Sequence, residues 1–266
     1  MPNRPDTHTI LQEITQMRTE LITLTLRRDR LKFRICEQLE DQYQDKMGQY
    51  EYRAYRARYK ALRMQKEIIL IQLLFDVEEP VFLPSIASDL DDEFQPYISQ
   101  LHARAERMKR ANQHRRINEF YGSDEAALDK AYGNVALKLH PALAADGCCH
   151  YPALMRRMVI AYRDGNLYEL KRLERETEDF PSLPFPFEYA ELNAIHDTYH
   201  TRIQELRAEI GDIQTSYPYN IMHFLEDDIS VYHMQCQIAS ETEQWEHACR
   251  EYEQERYELL TGQDSM

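Results

Sequence analysis

His196-Asp197-Thr198-Tyr199-His200 sets two imidazoles four residues apart. On a helix that spacing puts both rings on one face, as a zinc site needs, with an acidic residue between them. Catalysis at zinc also needs a third ligand and a substrate cleft, and neither is evident in the sequence. His200 falls away from the apolar stripe Leu192–Tyr199–Leu206, so it reads as a solvated side chain. Cys148-Cys149-His150 offers thiolate and imidazole ligands. Adjacent cysteines lack the two-residue gap of usual zinc sites, and no second pair lies at a fitting distance, so exposed loop thiols are expected. No Gly-rich phosphate loop, no Ser/His/Asp or Cys/His nucleophile signature and no distinctive carboxylate pair is present. The expectation is a protein that is not an enzyme and uses no metal or cofactor.

Phosphate recognition is the other chemistry on offer. Arg104, Arg107, Lys109, Arg110, Arg115 and Arg116 form one basic run. Arg53, Arg56, Arg58, Lys60 and Arg63 form another, interleaved with Tyr52, Tyr55 and Tyr59. Arginines beside aromatic rings can contact phosphates and stack on bases. Against this, the net charge is −14, and an acidic chain is a poor general binder of nucleic acid. Residues 1–77 carry 14 basic and 11 acidic side chains, and the remainder carries 18 and 35. The tyrosines also fit a helix seam, and arginines at the remaining positions make an ordinary solvated face. Nucleic-acid binding therefore stands as an alternative reading only.

The elements that would carry these residues are helical. Among 266 residues only 7 are Gly and 11 are Pro, and strand-like alternation is scarce. An all-α protein follows. The five cysteines are odd in number and irregular in spacing, which argues against a disulfide framework and for a reducing, cytoplasmic compartment. The N-terminus leads into an amphipathic helix, and the longest apolar run, Ile68–Phe75 interrupted by Gln72, is too short to cross a bilayer.

Ile10, Ile14, Met17, Leu21, Leu24, Leu31 and Ile35 recur in steps of four and three, with Arg28 the one break. That rhythm keeps one stripe facing a partner helix. Asp6 or Thr7 would cap this helix. Tyr52, Tyr55, Tyr59, Leu62, Ile69 and Leu73 predict a second helix, with Lys66 the interruption. The polar stretch Glu37–Gly48 between them is expected to reverse the chain into an antiparallel hairpin, with one continuous helix as the alternative. Pro80 and Pro84 make a stiff connection to a third helix through Leu90, Phe94, Ile98 and Leu101, where Pro96 marks a kink or a late start. Two seven-residue ladders, Leu192–Tyr199–Leu206–Ile213 and Phe224–Val231–Ile238–Trp245–Tyr252–Leu259, flank the breaker Tyr217-Pro218-Tyr219-Asn220 and predict a second hairpin. Asp228, Gln235, Thr242 and Arg256 are polar positions between the ladder residues. That seam is therefore loose or needs outside contacts.

A compact module is expected from about Asn118 to Glu176. Asp124 starts a helix with Leu128, Tyr132, Val135 and Leu139 on one face, and His140-Pro141 ends it. A helix from Pro152 buries Leu154, Met155, Met158, Val159 and Tyr162. Asp164-Gly165-Asn166 stops that helix and caps a last short one with Leu167, Leu170 and Leu173. Residues Ala131-Tyr132 through Lys138-Leu139-His140-Pro141, followed by a loop and a helix ending Ala161-Tyr162, resemble a DnaJ-type J domain. The ending Ala161–Leu170, with Lys46-Met47-Gly48 to Gln72 and Ser216–Asn220 in the flanking arms, looks like the bacterial J-domain-like coiled-coil proteins. In that resemblance a His-Pro-Asp tip engages a DnaK-class chaperone ATPase. Here His140 and Pro141 match and the carboxylate position is Ala142. A methyl group cannot form the charge-assisted bond a carboxylate gives to an arginine. Lys130 and Lys138 are opposed by Asp124, Glu125 and Asp129, a second departure from the basic helix of that family.

The sequence thus predicts an all-α protein with two long helical hairpins flanking a small J-domain-like module. Its segments are 1–79 (hairpin), 80–117 (connecting helix), 118–176 (degenerate J-like module), 177–188 (Pro-rich linker) and 189–266 (hairpin). The expected role is a cytoplasmic, non-catalytic interaction or scaffolding protein. Its partners are proteins held through the arms, or a second copy, and no membrane. The remnant Lys138, His140, Pro141 and Ala142 is the candidate partner-binding site. A co-chaperone of a DnaK-class ATPase and a nucleic-acid-binding helical protein are the alternatives.

Overall fold

The computed structural model describes residues 7–121, 124–141, 143, 151–180 and 192–262. The expected cap Asp6, Ala142, the Cys148-Cys149-His150 run and the phenylalanine–proline stretch 181–187 lie outside the described residues. The order is α1 (Thr7–Arg30), a π-helical turn (Leu31–Ile35), α2 (Cys36–Tyr43), a second π turn (Gln44–Gly48), α3 (Gln49–Asp76), α4 (Leu83–Glu93), α5 (Gln95–Tyr121), α6 (Glu125–Leu139), α7 (Pro152–Arg163), α8 (Leu167–Glu176), α9 (Leu192–Thr215), a 3-10 turn (Tyr219–Ile221), α10 (Met222–Glu226) and α11 (Asp228–Thr261). The protein is all-α, and no strand occurs among the described residues. No described helix is long and apolar enough to cross a membrane.

Two compact units form: residues 1–40 with 113–222, and residues 41–112 with 223–266. In the first, α1 and α9 lie side by side. Glu13 pairs with His196, Glu20 with Arg207 and Arg28 with Glu209. Partner numbers rise together, so the two helices run parallel. Ile10, Ile14 and Leu21 pack there on Leu192, Tyr199, Ile203 and Leu206. Beside them α6, α7 and α8 enclose a core of Leu128, Tyr132, Val135, Leu139, Met158, Tyr162, Leu170 and Leu173.

Local chemistry sets the ends of these helices. Asp124 Oδ1 accepts from the Ala126 and Ala127 amides and starts α6. Pro152 opens α7 at a position where no amide is needed. Gly165, at φ 72°, turns the chain after α7. Asn166 Oδ1 then caps α8 by accepting from the Glu169 amide.

In the second unit α3 lies along α11. Lys46 bonds Asp228, Arg53 faces Glu246 and Glu67 pairs with Arg256, again in rising order. The buried stripe of α3 is Ala54, Ala57, Ala61, Ile68 and Ile71. Its alanines let the helix backbones approach closely. Tyr55 and Tyr59 lie to one side, in an aromatic cluster with Phe94 and Tyr97. Ile71, Ile86, Leu90 and Phe94 hold α4 against α3.

Three expectations are corrected. Residues 36–48 are helical throughout, with no reversal. The polar run contains no breaker before Gly48, and the π turns absorb it: Arg34, Gln44 and Met47 are buried there. The hairpins are replaced by parallel pairings between residues from opposite ends of the chain. The α3 seam is also shifted, since Ile69 and Leu73 are exposed and the alanines are buried. The polar positions of α11 are satisfied within the seam. Gln235 donates to the Lys46 carbonyl at 2.8 Å, the Thr242 hydroxyl to the Ile238 carbonyl at 2.7 Å, and Arg256 Nε to Glu67 at 2.7 Å.

Candidate functional site

The His-Pro turn leads to a buried polar cluster in the first unit. The interior positions of α1 beyond Leu21 are Thr25 and Asp29, both with no exposed surface. Steps of four drift away from a heptad seam, so Leu24 and Arg28 leave the central line and two polar side chains enter it. Asp29 Oδ2 accepts the Tyr132 hydroxyl of α6 at 2.7 Å. His140 Nε2, at the end of α6, lies 3.3 Å from the same oxygen. Arg28 Nη2 lies 3.2 Å from that ring nitrogen. Arg28 Nη1 reaches both carboxylate oxygens of Glu209 on α9 at 3.0 Å. Arg28 Nε is 2.7 Å from Asp29 Oδ1, a charge contact too bent for a good hydrogen bond.

The neutral ring fits this arrangement. An unprotonated Nε2 accepts from the guanidinium, the tautomer being assigned from the network. Burial pushes the His140 pKa down from its ordinary value; Asp29 opposes this, Arg28 adds to it and Glu209 opposes it. Burial also works against the Arg28 charge, but the carboxylates of Asp29 and Glu209 outweigh it, and its pKa rises. Tyr132 is pushed far up, by burial first and then by Asp29. Its ring stacks on Tyr162 at 4.0 Å between centroids. Tyr162 in turn donates to Asp129, which Arg30 faces at 3.3 Å. The Tyr132–Asp29 bond and the Arg30–Asp129 ion pair therefore join α1 to the α6–α7 core, within which Tyr162 and Asp129 tie α7 to α6.

The residues singled out from the sequence are distributed as follows. His140 is 5% exposed and lies inside the cluster. Pro141 is half-buried in the turn that follows, where the Leu143 amide donates to the His140 carbonyl at 2.9 Å. Leu143 is buried in the α1–α9 core. Lys138 Nζ donates to the Thr177 and Glu178 carbonyls at 2.7 and 3.2 Å and closes the end of α8. His140 and Lys138 thus both bond within the chain.

His196 faces Glu13 at 3.8 Å and Asp197 at 3.3 Å, and His200 is exposed. No group of three or more His, Cys, Asp or Glu side chains among the described residues has the geometry to hold a metal. Of the basic residues, Arg63 pairs with Asp91, Arg104 pairs with Glu51 and lies over the Tyr55 ring, and Arg58 lies over Trp245.

Sequence reasoning passed over Asp29, Tyr132 as a donor, and Glu209. Arg28, the break in the heptad, was the one signal that pointed to them. A comparison of the chain with protein-family models, with curated proteins and with solved structures gives no match.

Proposed function

We propose that this chain is a non-catalytic protein-interaction scaffold in which the J-like unit is a packing element. The observation that carries the reading is the placement of His140. Its ring is buried against Arg28 and Asp29, and Leu143, three residues on, is buried between α1 and α9. A motif whose imidazole is committed inside its own chain does not offer that ring to a chaperone in this conformation. Lys138 is committed in the same way. For the interaction role, the support is the exposed apolar pair Ile69 and Leu73, one turn apart on α3, with Val77 and Phe82 also exposed beyond the helix. Exposed large apolar side chains that group into a patch mark interaction sites.

The test is ATP turnover by a DnaK-class chaperone with the natural protein and with Ala142→Asp, beside a measurement of mass in solution and cross-linking in cells. No stimulation by either protein is expected, because restoring the carboxylate does not free the buried ring. Stimulation by the natural protein would overturn the reading and make the chain a co-chaperone. A monomer with no cross-linked partner would remove the scaffold role.

A further inference from the structure

We propose that a cleft in the second unit, bounded by α3, α11 and α4, binds the phosphate group of a small organic phosphomonoester through Arg56, Lys60 and Arg250. The cleft has a volume of about 610 Å³, within the range of about 300–1,000 Å³ that holds small organic ligands. Arg53, Arg56, Lys60 and Arg63 line it from α3, and Arg250 reaches it from α11. Tyr59 and Met64 add apolar lining. Such a mixture offers cations to an anionic group and apolar contact to the body that carries it.

The pattern of ion pairs selects those three cations. Arg63 is paired with Asp91 at 2.8 Å, and Arg53 faces Glu246 at 3.9 Å. Arg56, Lys60 and Arg250 make no ion pair with a described residue. Glu253 is the one further carboxylate of the lining, which holds five cations and three carboxylates. The excess of two positive charges matches a phosphomonoester dianion. Elsewhere along the same helix pair the charges are matched: Lys46 bonds Asp228 and Arg256 bonds Glu67. Arg56 and Lys60 stand four apart on α3, where like charges repel, and a bound dianion relieves that repulsion. The cations of the two helices also converge. Burial and then Glu253 push the Cys249 thiol up, Lys60 draws it down, Glu246 pushes it up and Arg250 draws it down, so Lys60 and Arg250 bear on one point of the lining.

The wider charge pattern restricts the ligand to a compact one. The chain carries a net charge of −14, so its general field repels anions and binding rests on local contacts. Glu246 and Glu253 stand one turn on either side of Arg250 on α11, and Glu243 extends their row at helical spacing. A nucleic-acid strand laid along that row meets three carboxylates, whereas a single phosphate group fits between Arg250 and the two cations of α3. Arginine suits two-pronged contact with phosphate oxygens, and lysine adds a point charge.

The experiment is calorimetric titration of the full chain with phenyl phosphate at about pH 7.5, where a phosphomonoester with a second pKa of about 6 is a dianion. Saturable one-to-one binding is expected, tighter than that of inorganic phosphate and weakened by salt. Arg56→Gln/Lys60→Gln is expected to weaken it by about tenfold or more, and Arg250→Gln, from the opposite helix, to weaken it as well. All three side chains are exposed, so the variants should keep native helicity by circular dichroism. If the α3 double variant fails to fold, Arg250→Gln carries the test alone. Arg107→Gln/Arg110→Gln, which removes the same charge from α5, is expected to leave binding unchanged. No saturable binding, undiminished binding in the cleft variants or an equal loss in the α5 variant would overturn the proposal. Equal affinity for inorganic phosphate would overturn the organic ligand. Single-stranded RNA bound more tightly than phenyl phosphate, and lost with the α5 substitutions, would overturn the proposal in favour of a nucleic-acid surface.

Discussion

The Tyr132 hydroxyl donates to Asp29 Oδ2 at 2.7 Å with both side chains almost fully buried. This bond ties α1 to the three-helix core through a carboxylate that has no access to water. Tyr132→Phe keeps the ring and its stack on Tyr162 but deletes the donor. Leaving a buried acceptor short of a partner costs about 1–3 kcal/mol. Urea denaturation of Y132F should show that loss at pH 7, with near-native helicity before the transition.

Arg28 is the counter-charge of the same carboxylate, and it is only 14% exposed. Arg28→Met removes it and leaves Asp29 buried with the Tyr132 hydroxyl and the His140 ring and without its guanidinium. Breaking a buried pair from one side costs about 3 kcal/mol or more. The double variant R28M/D29N, which removes both charges, should be more stable than R28M. That recovery, read from a denaturation cycle, measures the coupling. Additive losses would show that the two side chains act separately. Glu209 is 40% exposed, so Glu209→Gln should cost less than about 1 kcal/mol.

Alkaline behaviour follows from the two stacked tyrosines. Tyr132 and Tyr162 are both shifted well above the ordinary tyrosine value, chiefly by burial, with Asp29 and Asp129 adding to it. In the unfolded chain both ionise near about pH 10. The unfolded state then binds fewer protons than the folded one, so stability is complete below that pH and falls as pH rises through it. Absorbance of tyrosinate should show these two phenols titrating together with unfolding of the first unit, after the exposed tyrosines. Their ionisation in a still-folded protein would contradict the burial argument.

Two glycines make opposite predictions. A Cβ on Gly48, in the second π turn, would lie 2.9 Å from Met108 Cγ and from Gln44 Oε1. Gly48→Ala forces side chains to shift, at about 1–3 kcal/mol, which outweighs the helix-propensity gain of about 1 kcal/mol. A Cβ on Gly211, in α9, meets nothing within 4 Å. Gly211→Ala should stabilise by up to about 1 kcal/mol. Thermal melts followed by circular dichroism should move in opposite directions for the two variants.

The α6–α8 core was legible because each of its helices announces itself. Asp124, Pro152 and Asn166 start them, His140-Pro141 and Gly165 stop two of them, and Leu128, Tyr132, Val135 and Leu139 repeat at helical spacing. The pairing of the long helices was not legible. Glu20 and Arg207 stand 187 residues apart, and nothing local marks a parallel partner so distant. The hairpin expectation arose because a polar run such as Glu37–Gly48 reads as a loop when its burial is unknown. Gln44 and Met47 show why it is not one: both are buried in the second π turn. The buried cluster escaped notice for the same reason. Asp29 and His140 are single polar residues in the sequence, and only the packing of α1, α6 and α9 brings them together.

The alanine seam of α3 gives the last prediction. Ala61 has no exposed surface, and Ala57 is buried against α11, where the Cys249 thiol lies 3.7 Å from the Ala57 carbonyl. Close approach of the backbones leaves no room for a larger side chain. Ala61→Leu should therefore destabilise the second unit by about 1–3 kcal/mol through overpacking, although leucine is a good helix former. The residues that a heptad reading puts in the seam behave differently. Leu73 is 55% exposed, so Leu73→Ser should change the stability of the isolated chain by no more than about 0.5 kcal/mol. If L73S were as damaging as A61L, the seam would run through the heptad positions and the α3 face assigned to α11 would be wrong.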